Sequence, residues 1–203
     1  MKRIGIFGGT FDPPHLGHLA VAQAALQSGE VDEVWLMVSP ENPFKSGRRI
    51  SPEADRLAMA RIAVESLPED VRSGLHVSDF ETRLPTPTYT ITTLHALREA
   101  YPGCSFRIII GGDNLTAFSR WRAHEEILRD YGVIVYPRPG DDPRDTGEIP
   151  PECVVLSDVP LFPYSSTEVR SLLSDTDGQG RGSGMVPEGV VRYIIKHRLY
   201  GKN

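Results

Sequence analysis

Three isoleucines in succession close the stretch from Phe106 to Ile110, which then breaks at Gly111-Gly112. A run of this kind does not alternate apolar and polar residues, so it reads as a strand covered on both faces. Ile4 to Phe7 repeats the pattern and breaks at Gly8-Gly9, and Val34 to Val38 closes on Ser39-Pro40. Val133 to Tyr136, Val154 to Leu156 and the shorter Leu75 to Val77 are the remaining strand candidates. Helix-like segments lie between them: the alanine-rich His15 to Leu26, a stretch from Pro52 to Glu65 with Ser51 as capping candidate, Thr90 to Ala100, and Glu125 to Arg129. Strands alternating with helices predict an α/β chain, a Rossmann-like doubly wound parallel sheet.

Two further helices are expected near Thr167 to Leu173 and Pro187 to Arg198. The second carries Val190, Val191, Ile194, Ile195 and Leu199 on one stripe, so it should pack back on the body as a C-terminal helical extension. At 203 residues the chain reads as a single domain over residues 1–203, its C-terminal helical part covering about 165–203. The Pro-, Gly- and Asp-rich stretch 137–151 reads as an exposed loop.

The formal net charge is −5, which argues against a general nucleic-acid surface. It leaves nucleotide binding open, because a few local donors suffice to hold a phosphate. Cys104 and Cys153 lie far apart and form no CxxC pair, so neither a disulfide framework nor a zinc site is expected. The basic start Met1-Lys2-Arg3 is followed by an apolar stretch too short for a signal sequence or membrane span. The expectation is a cytoplasmic protein with no membrane partner; a homo-oligomer is left open.

The most informative stretch is Gly8-Gly9-Thr10-Phe11-Asp12-Pro13-Pro14-His15-Leu16-Gly17-His18. It follows the first strand, at the carboxyl edge of the sheet, where open α/β sheets bind ligands. Glycines there let the backbone approach a phosphate closely. His15 and His18, three residues apart in a first helical turn, share a face at the positive end of the helix dipole. There is no Walker Gly-Lys-Ser/Thr and no GxGxxG spacing. A lone histidine at a helix start is more often a solvated cap, and HxxH can also suggest metal, but nothing nearby completes a zinc set. Near the other end stands Ser165-Ser166-Thr167-Glu168-Val169-Arg170, where Ser165 and Glu168 make a capping box. On its own that hexapeptide is a plain helix cap. Two anion-ready helix starts in one α/β chain point to a triphosphate.

The two strings together resemble the signatures of the HxGH nucleotidyltransferase superfamily. Within it, the middle of the chain is similar to bacterial nicotinate-nucleotide adenylyltransferases. The matching pieces are Tyr89-Thr90, Ile109 to Asn114, Phe118, Trp121, Arg138-Pro139-Gly140, Val186-Pro187 and Tyr193-Ile194. The resemblance covers nearly the whole chain, with two departures: Phe44 precedes Lys45 where a histidine is expected, and Arg122 follows Trp121 where many relatives carry an aromatic.

This resemblance implies transfer of AMP from ATP to nicotinate mononucleotide, forming deamido-NAD and pyrophosphate by in-line displacement. His15, His18 and Lys45 would serve catalysis. ATP would lie on Gly8, Gly9, Thr10, Phe11 and His18, on Gly111, Gly112 and Asp113, and on Ser165, Ser166, Thr167 and Arg170. Asn42, Lys45, Tyr89, Thr90, Trp121 and Arg122 would hold the nicotinate nucleotide. Without the resemblance, Trp121 would read as a core aromatic and Asp113 as a helix cap. Mg²⁺ would ride on the ATP phosphates, with no protein metal site. Two alternatives stand beside this: the same chemistry on nicotinamide mononucleotide or another phosphate acceptor, and a non-catalytic nucleotide sensor. The Gly-rich segment 178–184 lies between helices and reads as a connector.

Overall fold

The structure, a computed structural model, describes residues 1–40, 50–137, 140, 142–146, 149–157, 159–160, 162–174 and 184–201. Its elements, in chain order, are β1 (Lys2–Gly9), α1 (Leu16–Gln27), β2 (Glu33–Val38), α2 (Glu53–Glu65), α3 (Glu69–Arg72) and β3 (Leu75–Ser78). A 3₁₀ turn at Phe80–Arg83 leads to α4 (Thr90–Ala100), β4 (Cys104–Gly111) and α5 (Gly112–Thr116). A second 3₁₀ turn, Phe118–Arg120, precedes α6 (His124–Asp130), β5 (Val133–Tyr136), α7 (Pro143–Thr146), β6 (Cys153–Val155), α8 (Ser166–Ser174) and α9 (Glu188–Lys196).

The six strands run in the order β3-β2-β1-β4-β5-β6, and every pairing is parallel. This is a doubly wound sheet whose order reverses between β1 and β4, the crevice where such sheets bind ligands. The continuous apolar strands are buried on both sides, as expected. On one face Ile4, Ile6, Phe106, Ile108 and Ile110 pack under α4 and α6 with Leu94, Leu97 and Ile127. On the other, Phe7, Val34, Leu36 and Ile109 pack with Val21, Ala22 and Ala25 of α1.

A third core ties the C-terminal helices to the body. Val169 and Leu173 of α8 and Val190, Val191 and Ile194 of α9 meet Leu19 of α1 and Met59 and Ala63 of α2. Leu199 joins this core at its edge, while Ile195, the remaining member of the stripe, is 47% exposed. Among the described residues no helix is long and apolar enough to cross a membrane.

Three local expectations need correction. Ser51 does not cap α2: Pro52 occupies the N-cap, and the Ser51 backbone N–H donates to Asp12 Oδ2 at 3.2 Å. The stretch 137–151 holds α7, a single turn that opens on the buried Pro143. Proline at a first helical position was the available signal. Gly112-Asp113 opens α5, a helical turn directly after β4, and its N-cap is Gly111, not Asp113. Asn42, Phe44, Lys45, Arg138, Pro139 and most of 178–184 lie outside the described residues.

Candidate active site

β1 ends at Gly9, and the chain turns through Thr10 to Pro14 before α1 begins at Leu16 with His15 as its N-cap. Phe11 takes φ 47°, the left-handed region that a bulky residue enters only when its surroundings hold it. What holds it is the core: its ring is 1% exposed, lies against the Cα of Gly9, and meets Phe7 edge-on at 5.8 Å. The same ring meets His18 edge-on at 5.0 Å. The Phe11 side chain therefore forms the floor beneath a histidine, and it reaches no ligand space of its own.

The two histidines form one unit. Their rings stack with centroids 3.7 Å apart and planes 26° from parallel. The His15 backbone N–H donates to His18 Nδ1 at 3.1 Å. A ring nitrogen that accepts from an N–H carries no proton, so neutral His18 bears its proton on Nε2, where it can donate to a phosphate oxygen. On its other side His15, 6% exposed, meets Tyr164 edge-on at 5.5 Å. Gly17 makes this packing possible. A Cβ there would lie 3.0 Å from the His15 ring and 3.2 Å from Phe162 Cβ.

The start of α8 is joined to this loop by side chains 153 and 158 residues away in sequence. Ser166 Oγ donates to the Pro13 carbonyl at 3.0 Å, and the Arg170 guanidinium donates to the Asp12 carbonyl. Arg170 also donates to Thr167 Oγ1 at 3.2 Å, so part of its fork is spent on the protein itself. The capping box forms: the Ser165 N–H and Oγ both donate to Glu168 Oε2, at 2.6 and 2.9 Å. That engagement holds the Glu168 carboxyl below its usual range, with the backbone hydrogen bond as the main cause.

His15, His18, Ser165 and Glu168 line a common cleft of about 310 Å³. Its apolar side is made by Phe7, Val21, Tyr136, Val159 and Phe162. The lining thus combines polar groups with apolar and aromatic side chains, the two demands of a nucleotide. Tyr164 and Phe162, which line it, carry no motif and went unread in the sequence. Gly111, Gly112 and Asp113 leave the sheet at the carboxyl end of the neighbouring strand β4 but do not line this cleft. Tyr89, Thr90, Trp121 and Arg122 stand apart from it as well. There the Arg122 guanidinium lies 4.9 Å over the Tyr89 ring, and Trp121 packs on Phe118 at 5.2 Å.

Two charged residues hold the loop in place: Asp12, inside the motif string but given no role there, and Arg56, which no motif marked. Asp12, 3% exposed, accepts from the Tyr200 hydroxyl at 2.6 Å and from the Ser51 N–H. Arg56, 2% exposed, donates to the carbonyls of Thr10, Ser39, Pro40 and Ser51 at 2.6–3.3 Å. Burial pulls its pKa down from the ordinary value, opposed by the Asp12 charge. One guanidinium thereby ties the motif loop to both chain segments that flank residues 41–49. In sequence Arg56 is one of two arginines in α2, and nothing local sets it apart from Arg61.

A family model described as cytidylyltransferase-like matches residues 6–172. A protein of Bacteroides fragilis named "Probable nicotinate-nucleotide adenylyltransferase" is 43% identical over 172 residues, 85% of this chain and 82% of its own length. One of the same name from Cytophaga hutchinsonii is 40% identical over 197 residues, 97% of this chain and 93% of its own. In three dimensions the chain is similar to a Plasmodium falciparum nicotinic acid mononucleotide adenylyltransferase complexed with NaAD, with TM-score 0.80, 22% identity and 98% of each chain covered. With the histidine pair, the joined helix starts and these relatives agreeing, the chain belongs to the cytidylyltransferase-like nucleotidyltransferases and, among them, to the nicotinate-nucleotide adenylyltransferase family.

Proposed function

We propose that the cleft binds ATP and that the chain transfers its AMP to nicotinate mononucleotide, forming deamido-NAD and pyrophosphate. The observation that carries this reading is the union of the two helix starts. Ser166 and Arg170 bond to the carbonyls of Pro13 and Asp12, so both starts face one cleft beside the imidazole pair.

A phosphate oxygen of the mononucleotide attacks the α-phosphorus. The bond from that phosphorus to the α–β bridging oxygen breaks, and pyrophosphate leaves with the electron pair. No residue needs to act as a covalent nucleophile, so catalysis is alignment and stabilisation of charge. His18 donates from Nε2 to the α-phosphate as charge builds, and His15 holds His18 in register from the side. The Ser165 and Ser166 hydroxyls are spent on Glu168 and Pro13, so the outer phosphates fall to the backbone N–H groups of the first turn of α8. Lys45 and the remaining donors of Arg170 offset the charge of the departing and incoming phosphates.

Mg²⁺ enters with ATP. Glu168, the one carboxylate lining the cleft among the described residues, is engaged by Ser165, so the ion would be held chiefly by the phosphate oxygens of ATP. The nicotinate ring belongs with Trp121, Tyr89 and Thr90, and Arg122, which lies over the Tyr89 ring, supplies a positive charge to the same nucleotide. Cytoplasmic residence follows from this role in dinucleotide synthesis.

The test is incubation with ATP, Mg²⁺ and, in parallel, nicotinate or nicotinamide mononucleotide, with products identified by mass. Deamido-NAD and pyrophosphate are expected in the first tube. ATP binding without any pyrophosphate release would turn the reading to a nucleotide sensor.

A further inference from the structure

α9 ends at Lys196, and the next four residues double back sharply. The Arg198 N–H bonds to the Ile195 carbonyl, and the Leu199 N–H reaches the Ile194 carbonyl at 3.0 Å. Arg198 takes φ 52° and Tyr200 φ 64°, so two non-glycine residues within three positions sit in the left-handed region. At Arg198 that backbone is the usual close of a helix, locked by the bonds to Ile195 and Ile194, whereas a bulky aromatic such as Tyr200 rarely adopts it unless a contact holds it there. The contact here is the Tyr200 hydroxyl, delivered to Asp12 Oδ1 at 2.6 Å across 188 positions of sequence. Burial, then the Asp12 charge, pushes the phenol far above its ordinary pKa, so it stays a donor throughout the working range.

Asp12 is where three parts of the chain meet. One carboxylate oxygen takes the Tyr200 hydroxyl, the other takes the Ser51 N–H, and its backbone carbonyl takes Arg170. Three residues later comes His15, whose own N–H orients the His18 ring. Phe11, on the other side of Asp12, supports that ring from below. A shift of Asp12 would therefore reach the catalytic imidazole through both its neighbours. The same hydroxyl also reaches Met59 Sδ at 3.9 Å, whereas Leu97, 0% exposed, lies in the core on the opposite face of the sheet.

We infer that Tyr200 is a positioning residue for adenylyl transfer: the folded-back C-terminal tail clamps Asp12 and thereby sets the loop that aims His18. This rests on the adenylyl-transfer reading for its kinetic consequence, while the clamp itself can be tested without turnover.

The experiment compares the full chain with Tyr200→Phe, which removes one hydroxyl, and with Leu97→Val as a stability control. kcat and both KM values are measured well below the melting temperature, and amide hydrogen exchange is followed at residues 10–18 and in β4. For Tyr200→Phe, kcat falls roughly tenfold with KM values nearly unchanged, the signature of misplaced groups and not of lost binding. Exchange quickens at 10–18 and stays as it was in β4. Leu97→Val lowers the melting temperature with kcat retained. Asp12→Asn falls in kcat like Tyr200→Phe, and the double variant falls no further than either alone. Unchanged kcat in a folded Tyr200→Phe, or faster exchange everywhere alike, overturns the inference. If the wild-type chain shows no turnover, adenylyl transfer itself fails, and exchange at 10–18 alone then decides the clamp.

Discussion

The Nδ1 atom of His18 accepts the backbone N–H of His15 at 3.1 Å, while the two rings stack at 3.7 Å. One residue thus fixes both the tilt and the proton of the other. His18 has the donor, and His15 has the role of holding it. Replacing His18 by Ala should lower kcat on the order of 10²–10³, the scale for one lost transition-state donor. His15→Ala should cost less, and the double variant should fall far short of the product of the two. Steady-state kinetics on folded variants decides this. Full turnover in His18→Ala would falsify the assignment.

Gly17 separates activity from stability. Alanine is the better helix former by about 1 kcal/mol, and Gly17 lies in the first turn of α1, where that gain applies only in part. Yet its Cβ would press on the His15 ring at 3.0 Å and on Phe162 at 3.2 Å. Gly17→Ala should therefore keep the melting temperature within a few degrees while losing roughly tenfold or more in kcat. Paired thermal and kinetic measurements check it; equal activity would mean that Phe162 simply moves aside.

The strands were legible because a sheet buried on both faces leaves no freedom of pattern: runs such as Ile108-Ile109-Ile110 can hardly be anything else. The histidine string and the Ser165–Glu168 box were legible because each acts through its own helix start, within a few residues. Short turns were harder. α6 begins after Ala123 at φ 54° with no capping side chain, so nothing in its sequence announces the boundary. Hardest were the residues that act across the fold. Tyr200 meets Asp12 across 188 positions and Arg56 meets Thr10 across 46, and no local period records such distances.

Arg56 should be the costliest single position among these supports. Its planar fork serves four carbonyls in three segments, and Lys cannot reproduce that geometry. Arg56→Lys should destabilise the chain by about 3 kcal/mol, because buried carbonyls lose their partners. It should also weaken mononucleotide use more than ATP binding, since Ser39, Pro40 and Ser51 flank the segment that carries Asn42 and Lys45. Denaturant unfolding and separate KM values provide the check. A loss under 1 kcal/mol would show that water or a shifted backbone replaces the fork.

Tyr131 offers the opposite sign. Its hydroxyl is buried and has no hydrogen-bond partner among the described residues, and burial raises its pKa. A polar atom shut away from water without a partner is a standing cost of about 1–3 kcal/mol. The ring itself packs well: Arg98 lies 5.6 Å over its face, and the side chain sits in the core with Ile127 and Val133. Phenylalanine keeps that face and that volume and removes only the oxygen. Tyr131→Phe should therefore raise stability by roughly 0.5–1 kcal/mol, allowing for partial relaxation around the hydroxyl in the native protein. Because the residue lies on the α4–α6 side of the sheet, outside the cleft, kcat should stay unchanged. Urea midpoints for the two proteins measure the effect directly; a midpoint shifted downward would mean that the hydroxyl is bound after all, by an ordered water.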